Sequence, residues 1–165
     1  CADGIHDPEV AAIEKEAAEK TVRIVRNDAG LLPLPRDKKI LLIEQIAPLY
    51  RLVNSQACHP GLLWEKCYAY NPQVGMVETE MSFTDSDRER VMERLDEADI
   101  IVATNYYYRR GAGGGEFIRE LAKKGKKLVV ITNSPYLDAP EFTTEVISFG
   151  NGPRSAEQIA KVLFE

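Results

Sequence analysis

The stretch of residues 99–121 constrains the fold of this chain more than any other. It begins with the apolar run 100–103, which is too short for a globular helix and is bounded by polar residues, as a buried strand is. A glycine-rich segment follows, and apolar residues then return at helical spacing, at Phe117, Ile118 and Leu121. A second apolar run at 127–132 completes the order strand, turn, helix, strand, which predicts a parallel βαβ unit.

The rest of the chain shows the same alternation. Further strand patterns cover 39–44, 76–83 and 145–149, and the polar–apolar alternation of 76–83 is typical of a strand near a sheet edge. Helical patterns cover 84–98 and 155–164, and we expect one short helix within 45–73. About five strands alternating with about five helices predict a three-layer α/β/α sandwich around a mostly parallel, doubly wound sheet of the Rossmann or flavodoxin-like kind.

The first part of the chain predicts a helical lead-in. Asp7 is a favourable N-cap, Pro8 suits the first turn, and apolar residues recur at intervals of three and four from Val10 to Ile24. Residues 21–26 also alternate as a strand does, but helix is the favoured interpretation. The predicted organisation is therefore one domain over 1–165, with a helical lead-in at 7–27, a connector at 28–38 and the sandwich at 39–165.

Composition excludes several classes of partner. A net charge of -5 over 165 residues provides no field that attracts nucleic acid or an anionic membrane. Three cysteines are too few for a disulfide framework in a chain of this size, so free thiols are expected. A reducing, cytoplasmic location is slightly favoured, and the compartment stays open.

Polar side chains follow three of the predicted strands, at Glu44, Asn105 and Asn133. Ligands in doubly wound folds bind beyond the carboxyl ends of the strands, so these residues are candidates for a binding crevice. Tyr107, Arg109 and Arg110 follow shortly after Asn105. Aromatic rings with guanidinium groups either stack on a sugar or anchor a protein interface. The same tyrosines equally suit a loop that packs on the rim of the sheet.

Catalytic and cofactor patterns are weak. Glu44 and Glu116 are candidates for a pair of carboxylates in acid–base catalysis, with Glu116 the nearest acid to the central loop. The glycines of 111–115 suggest a dinucleotide fingerprint, but its third glycine falls on Glu116, and Asn133 stands where an acidic ribose ligand belongs.

A metal site is not expected either, because Cys58, His59 and Cys67 match no zinc-ligand spacing. The sequence therefore predicts neither a cofactor nor a metal.

Several stretches together resemble the C-terminal α/β-sandwich domain of glycoside hydrolase family 3. Residues 17–34, which end in Gly-Leu-Leu-Pro-Leu, are similar to the helix and connector that open that domain. Residues 98–102, 116–121 and 125–130 are similar to its middle strand–helix–strand, and 134–136 and 156–164 look like the turn and terminal helix of the bacterial β-N-acetylglucosaminidase branch. Leu137 departs from that branch, which has Asp after the tyrosine of the turn.

The resemblance implies a partner domain. In that family an N-terminal (β/α)8 barrel binds the sugar and supplies the nucleophile, and in the β-N-acetylglucosaminidase branch it supplies the acid–base pair as well. The β-glucosidase branch places its acid–base Glu after the strand that matches 99–105, yet the loop here lacks the surrounding pattern, so that role is not transferred to Glu116. The chain is expected to be catalytically silent and to pack on a barrel that binds the carbohydrate. The alternative is a free-standing module that binds a sugar, a nucleotide or a partner in the crevice of Glu44, Asn105, Arg109 and Asn133.

Overall fold

The computed structural model describes residues 7–46, 60–107, 115–134, 139–150 and 152–165, and these form six strands and five helices. The strands are β1 (Val22–Asn27), β2 (Ile40–Ile46), β3 (Val74–Glu80), β4 (Ile100–Asn105), β5 (Lys127–Thr132) and β6 (Thr144–Ser148). The helices are α1 (Pro8–Thr21), α2 (Leu62–Tyr68), α3 (Asp85–Leu95), α4 (Gly115–Lys123) and α5 (Pro153–Phe164).

The strands form one sheet in the order β1-β6-β5-β4-β2-β3. Strands β2 to β6 pair in parallel, and β1 pairs antiparallel with β6 at one edge. Two apolar layers cover the sheet: one contains residues of α2 and α5 with the connector leucines Leu32 and Leu34, and the other contains residues of α3 and α4. The predicted three-layer sandwich is confirmed, with β3 at an edge and β4 inside the sheet, as expected.

The lead-in differs from its prediction. The helix ends at Thr21, and residues 22–27 form strand β1 instead of continuing the helix to 27. Val22, Ile24 and Val25 are β-branched and favour a pleated conformation, and β6 offers the backbone groups that pair with them. This strand is also why the sheet has six strands instead of about five.

Local chemistry explains where the helices begin and end. The Asp7 carboxylate accepts a hydrogen bond of 2.8 Å from the Glu9 N–H at the start of α1. At α3 the side chains of Thr84 and Asp87 each accept a hydrogen bond from the other residue's backbone N–H, which is a capping box. Gly125 follows the end of α4 with φ +72, a left-handed conformation that glycine adopts without strain.

The aromatic cluster after residue 60 is structural. The Trp64 indole donates a 2.8 Å hydrogen bond to the Val74 carbonyl, and the Tyr70 ring stacks on Phe164 with 5.3 Å between ring centres. The first contact ties α2 to the start of β3, and the second holds the turn after α2 against the last helix. The short helix expected within 45–73 is therefore confirmed as α2, and none of the described helices is long and apolar enough to cross a membrane.

Candidate functional site

The carboxyl ends of five parallel strands meet at one edge of the sheet. From β2 the chain passes to β3 on one side and then returns to β4 on the other side of β2. Such a reversal is the usual place for a ligand in a doubly wound sheet. The predicted residues Glu44, Asn105 and Asn133 lie at or directly after the ends of β2, β4 and β5, so the structure brings them to this edge.

Glu44 is engaged with a helix. Its side chain is buried, and its two carboxylate oxygens accept hydrogen bonds from the backbone N–H groups of Leu63, at 3.3 Å, and Trp64, at 3.4 Å. Both N–H groups belong to the first turn of α2, where the helix itself offers no acceptor. Glu44 therefore stabilises the start of α2.

Gln45 spans the reversal point and is not among the site residues predicted from the sequence. Its amide oxygen accepts a 2.6 Å hydrogen bond from the Tyr106 N–H, and its amide nitrogen donates to the Met81 carbonyl at 2.7 Å. The crevice between β2 and β4 is thus bridged by a side chain of the protein. The only signal in the sequence was a second polar residue after Glu44 at the end of an otherwise apolar strand.

Asn133 holds the segment that leaves β4. Its side-chain oxygen accepts a 2.8 Å hydrogen bond from the Tyr107 N–H, and its amide nitrogen donates to the Tyr107 carbonyl at 3.0 Å. Together with the bond from Tyr106 to Gln45, these bonds fix Tyr106 and Tyr107 from both neighbouring strands. Tyr107 is 37% exposed, so these hydrogen bonds hold it at the surface of this edge.

Asn105 lies inside a buried polar row. In the β2–β3 and β4–β5 ladders, Gln45 pairs with Thr79 and Asn105 pairs with Thr132, and all four residues are buried. Among the described residues, both amide atoms of Asn105 and the Thr79 hydroxyl have no hydrogen-bond partner. A Cβ atom built on Gly115 would lie 3.9 Å from the Asn105 amide oxygen, so this amide lies beside the first residue of α4.

The two candidate carboxylates have different surroundings in the described part of the chain. Glu116 is exposed in the first turn of α4, whereas Glu44 is buried against α2. Arg109 and Arg110 lie outside the described residues, as do Cys58 and His59. Within the described ranges, no group of three or more His, Cys, Asp or Glu side chains is placed to hold a metal ion.

Cys67 is a free thiol in the core. Burial, and after it the negative charge of Glu44, raises the pKa of Cys67 well above that of an ordinary thiol. The thiolate is therefore disfavoured, and Cys67 behaves as a small apolar side chain.

The fold and this edge define an α/β-sandwich module in which Glu44, Gln45 and Asn133, at the carboxyl edge, are engaged in hydrogen bonds within the protein. No protein-family model matches the sequence, and no curated protein matches it. Solved structures do match. A glycoside hydrolase family 3 β-N-acetylglucosaminidase from Paenibacillus aligns over 91% of this chain and 29% of its own, with a TM-score of 0.76 and 18% identity.

Two more enzymes share the fold. A β-glucosidase from Listeria innocua aligns over 99% of this chain and 26% of its own, with a TM-score of 0.72 and 19% identity. A fungal multi-domain family 3 β-N-acetylglucosaminidase aligns over 94% of this chain and 18% of its own, with a TM-score of 0.70 and 17% identity. The resemblance found in the sequence is thus confirmed at the level of the fold, and the chain spans less than a third of the length of each of these neighbours.

Proposed function

We propose that this chain is the C-terminal α/β-sandwich domain of a family 3 glycoside hydrolase of the β-N-acetylglucosaminidase type. In this proposal it hydrolyses nothing alone and supports a (β/α)8 barrel that binds and cleaves the carbohydrate. The observation that carries the proposal is the asymmetry of the alignments, which cover 91% of this chain but 29% of the Paenibacillus enzyme.

The chemistry of the carboxyl edge supports a non-catalytic role. Most retaining and inverting glycosidases use two carboxyl groups that face each other across the scissile bond. Here the Glu44 carboxylate is buried and accepts hydrogen bonds from α2, whereas Glu116 is exposed on α4. Glu44 and Glu116 therefore do not form the pair of facing carboxylates that this chemistry uses.

The test is hydrolysis of a chromogenic β-N-acetylglucosaminide by the 165-residue chain and by the full-length product of its gene. We expect no release of chromophore above buffer from the chain alone and turnover by the full-length protein. A chromogenic β-glucoside assayed in parallel separates the two branches of the family. Hydrolysis by the chain alone that disappears in Glu116→Gln would overturn the proposal.

A second candidate function, binding of a small ligand at the carboxyl edge, has one observation in its favour. The Asn105 amide is buried and has no partner within the part of the chain that the structure describes, and such a group is satisfied when a ligand supplies a donor and an acceptor. The engagement of Glu44 with α2 and of Asn133 with Tyr107 weighs against it. The test is titration with N-acetylglucosamine and with a nucleotide, monitored through the amide resonances of Asn105 and Gly115. If neither ligand shifts these resonances, this candidate function is wrong.

A further inference from the structure

Helix α1 exposes apolar residues on the side that its sequence pattern predicted to be packed. Ala18 is the one buried residue of this helix, while Val10 is 45% and Ile13 is 60% exposed. Ala17 is exposed one turn after Ile13, so the three side chains form a stripe along the helix. The charged residues of α1 are also in water, and the helix lacks a buried apolar face.

The stripe continues beyond the helix. Ala17 and Phe149, which is 58% exposed, line the same cleft of about 380 Å³ between α1 and the start of α5. Ile24 of β1 is 48% exposed and lies on the sheet face that α1 and α5 share, since it pairs with Val146 of the core on that side. We call Val10, Ile13, Ala17, Ile24 and Phe149 the α1 surface.

Strand β1, which borders this surface, is a poor edge for pairing with a second copy of the chain. Such a contact would pair β1 with the β1 of the other copy in an antiparallel ladder. A twofold axis through the middle of the strand places Arg23 opposite Arg26, and like charges at opposed positions destabilise a ladder. In addition, Val25 is the extra residue of a bulge, which interrupts the edge of the strand.

The alignments indicate a different occupant. In each of the three solved enzymes described above, this fold makes up 29% or less of the chain, so most of each neighbour lies outside it. A contiguous exposed apolar surface marks an interaction site, and interfaces between domains of one chain bury such surfaces. Resting on the proposed function, we infer that the α1 surface is where the catalytic barrel of the same polypeptide docks.

Hydroxyl-radical footprinting of the 165-residue chain and of the full-length gene product tests this inference. We expect oxidation of Ile13 and Phe149 to be several-fold lower in the full-length protein. Met92 on α3, which is 38% exposed in the opposite layer, is the internal control and is expected to react equally in both proteins. Equal oxidation of Ile13 and Phe149 in both proteins, or protection of Met92 instead, overturns the inference.

Matched variants give a second readout. Ile13→Glu is expected to lower the melting temperature and the glycosidase activity of the full-length protein, and to leave unfolding of the 165-residue chain unchanged. Met92→Glu is expected to have no effect on either. If the full-length protein hydrolyses its substrate while Ile13→Glu behaves like Met92→Glu, the docking surface is wrong and the proposed function stands. If the full-length protein hydrolyses no glycoside, the proposed function fails.

Discussion

Two asparagines at the ends of neighbouring strands have opposite energetic roles. The amide of Asn133 bonds to both backbone groups of Tyr107, whereas the amide of Asn105 is buried and finds no partner in the described ranges of the chain. A buried amide without a partner retains its desolvation penalty, about 1–3 kcal/mol. These two positions therefore respond differently to substitution.

Asn105→Leu is expected to raise the free energy of unfolding by about 1 kcal/mol, because leucine has a similar shape and needs no hydrogen bond. Urea denaturation measures this change. Thr132→Val at the paired position is the control and is expected to be destabilising, since the Thr132 hydroxyl bonds to the Ser134 backbone. A loss of more than 1 kcal/mol in Asn105→Leu would contradict this reading of the site.

Asn133→Ala is expected to cost about 1 kcal/mol and to speed hydrogen exchange at the Tyr107 amide, because two hydrogen bonds are lost. Asn133→Asp keeps an acceptor for the Tyr107 N–H but loses the donor to its carbonyl, so it should fall between wild type and alanine. If hydrogen exchange at the Tyr107 amide is the same in all three proteins, the Asn133 hydrogen bonds do not order this segment.

Asp87 makes the free energy of unfolding depend on pH in the acidic range. Burial alone would raise the pKa of Asp87, but hydrogen bonds from Thr84, from the Glu80 N–H and from the Arg90 guanidinium lower it below its usual range. A folded-state pKa below the unfolded value gives stability that is present above about pH 4 and is lost as pH falls through the folded-state pKa.

Asp87→Asn is therefore expected to lose about 1 kcal/mol at pH 7 and to show a flatter fall in stability below pH 4. Thermal unfolding between pH 3 and 7 measures both effects. Asp85→Asn, in the exposed part of the same turn, is the comparison, and equal pH profiles for the two variants would rule out this role for Asp87.

At the scale of elements, the sequence predicted what depends on neighbours in the chain. The β4–α4 unit followed from a short apolar run and helical spacing, and its buried residues Phe117, Ile118 and Leu121 are those that the spacing indicated. The prediction of helix over residues 22–27, which form β1, was wrong. The sequence pattern there suits both a helix and a strand, and the partner strand, β6, lies at the far end of the sequence. The partners of Glu44, Asn105 and Asn133 likewise depend on strand order and register, which local pattern does not encode.

Helices α1 and α5 are expected to differ in local stability. Helix α1 has one buried residue and α5 has five. In the 165-residue chain, backbone amides of α1 should exchange hydrogen with a free energy well below that of global unfolding, and those of α5 should approach the global value. Equal protection of the two helices would mean that α1 needs no further partner.

At the scale of the whole molecule, β1 determines where the domain can be cut. All five residues of β6 are buried, and β1 covers its outer edge. A truncated chain of residues 39–165, the range predicted for the sandwich alone, leaves the backbone of β6 unpaired beside apolar side chains. We expect it to aggregate where the 165-residue chain stays monomeric, as measured by size-exclusion chromatography, and a monomeric truncated chain would contradict this.

The pairing of β1 with β6 also sets an order of events during synthesis. Val22 leaves the ribosome 126 residues before its partner Ser148, which at about 5–20 residues per second is a delay of roughly 6 to 25 seconds. During that time the lead-in strand has no partner, whereas β2 to β5 are synthesised and can pair with one another before β6 appears. Closure of the sheet therefore waits until β6, at residues 144–148, has been synthesised, and a nascent chain that stalls before residue 144 presents β1 with no partner strand.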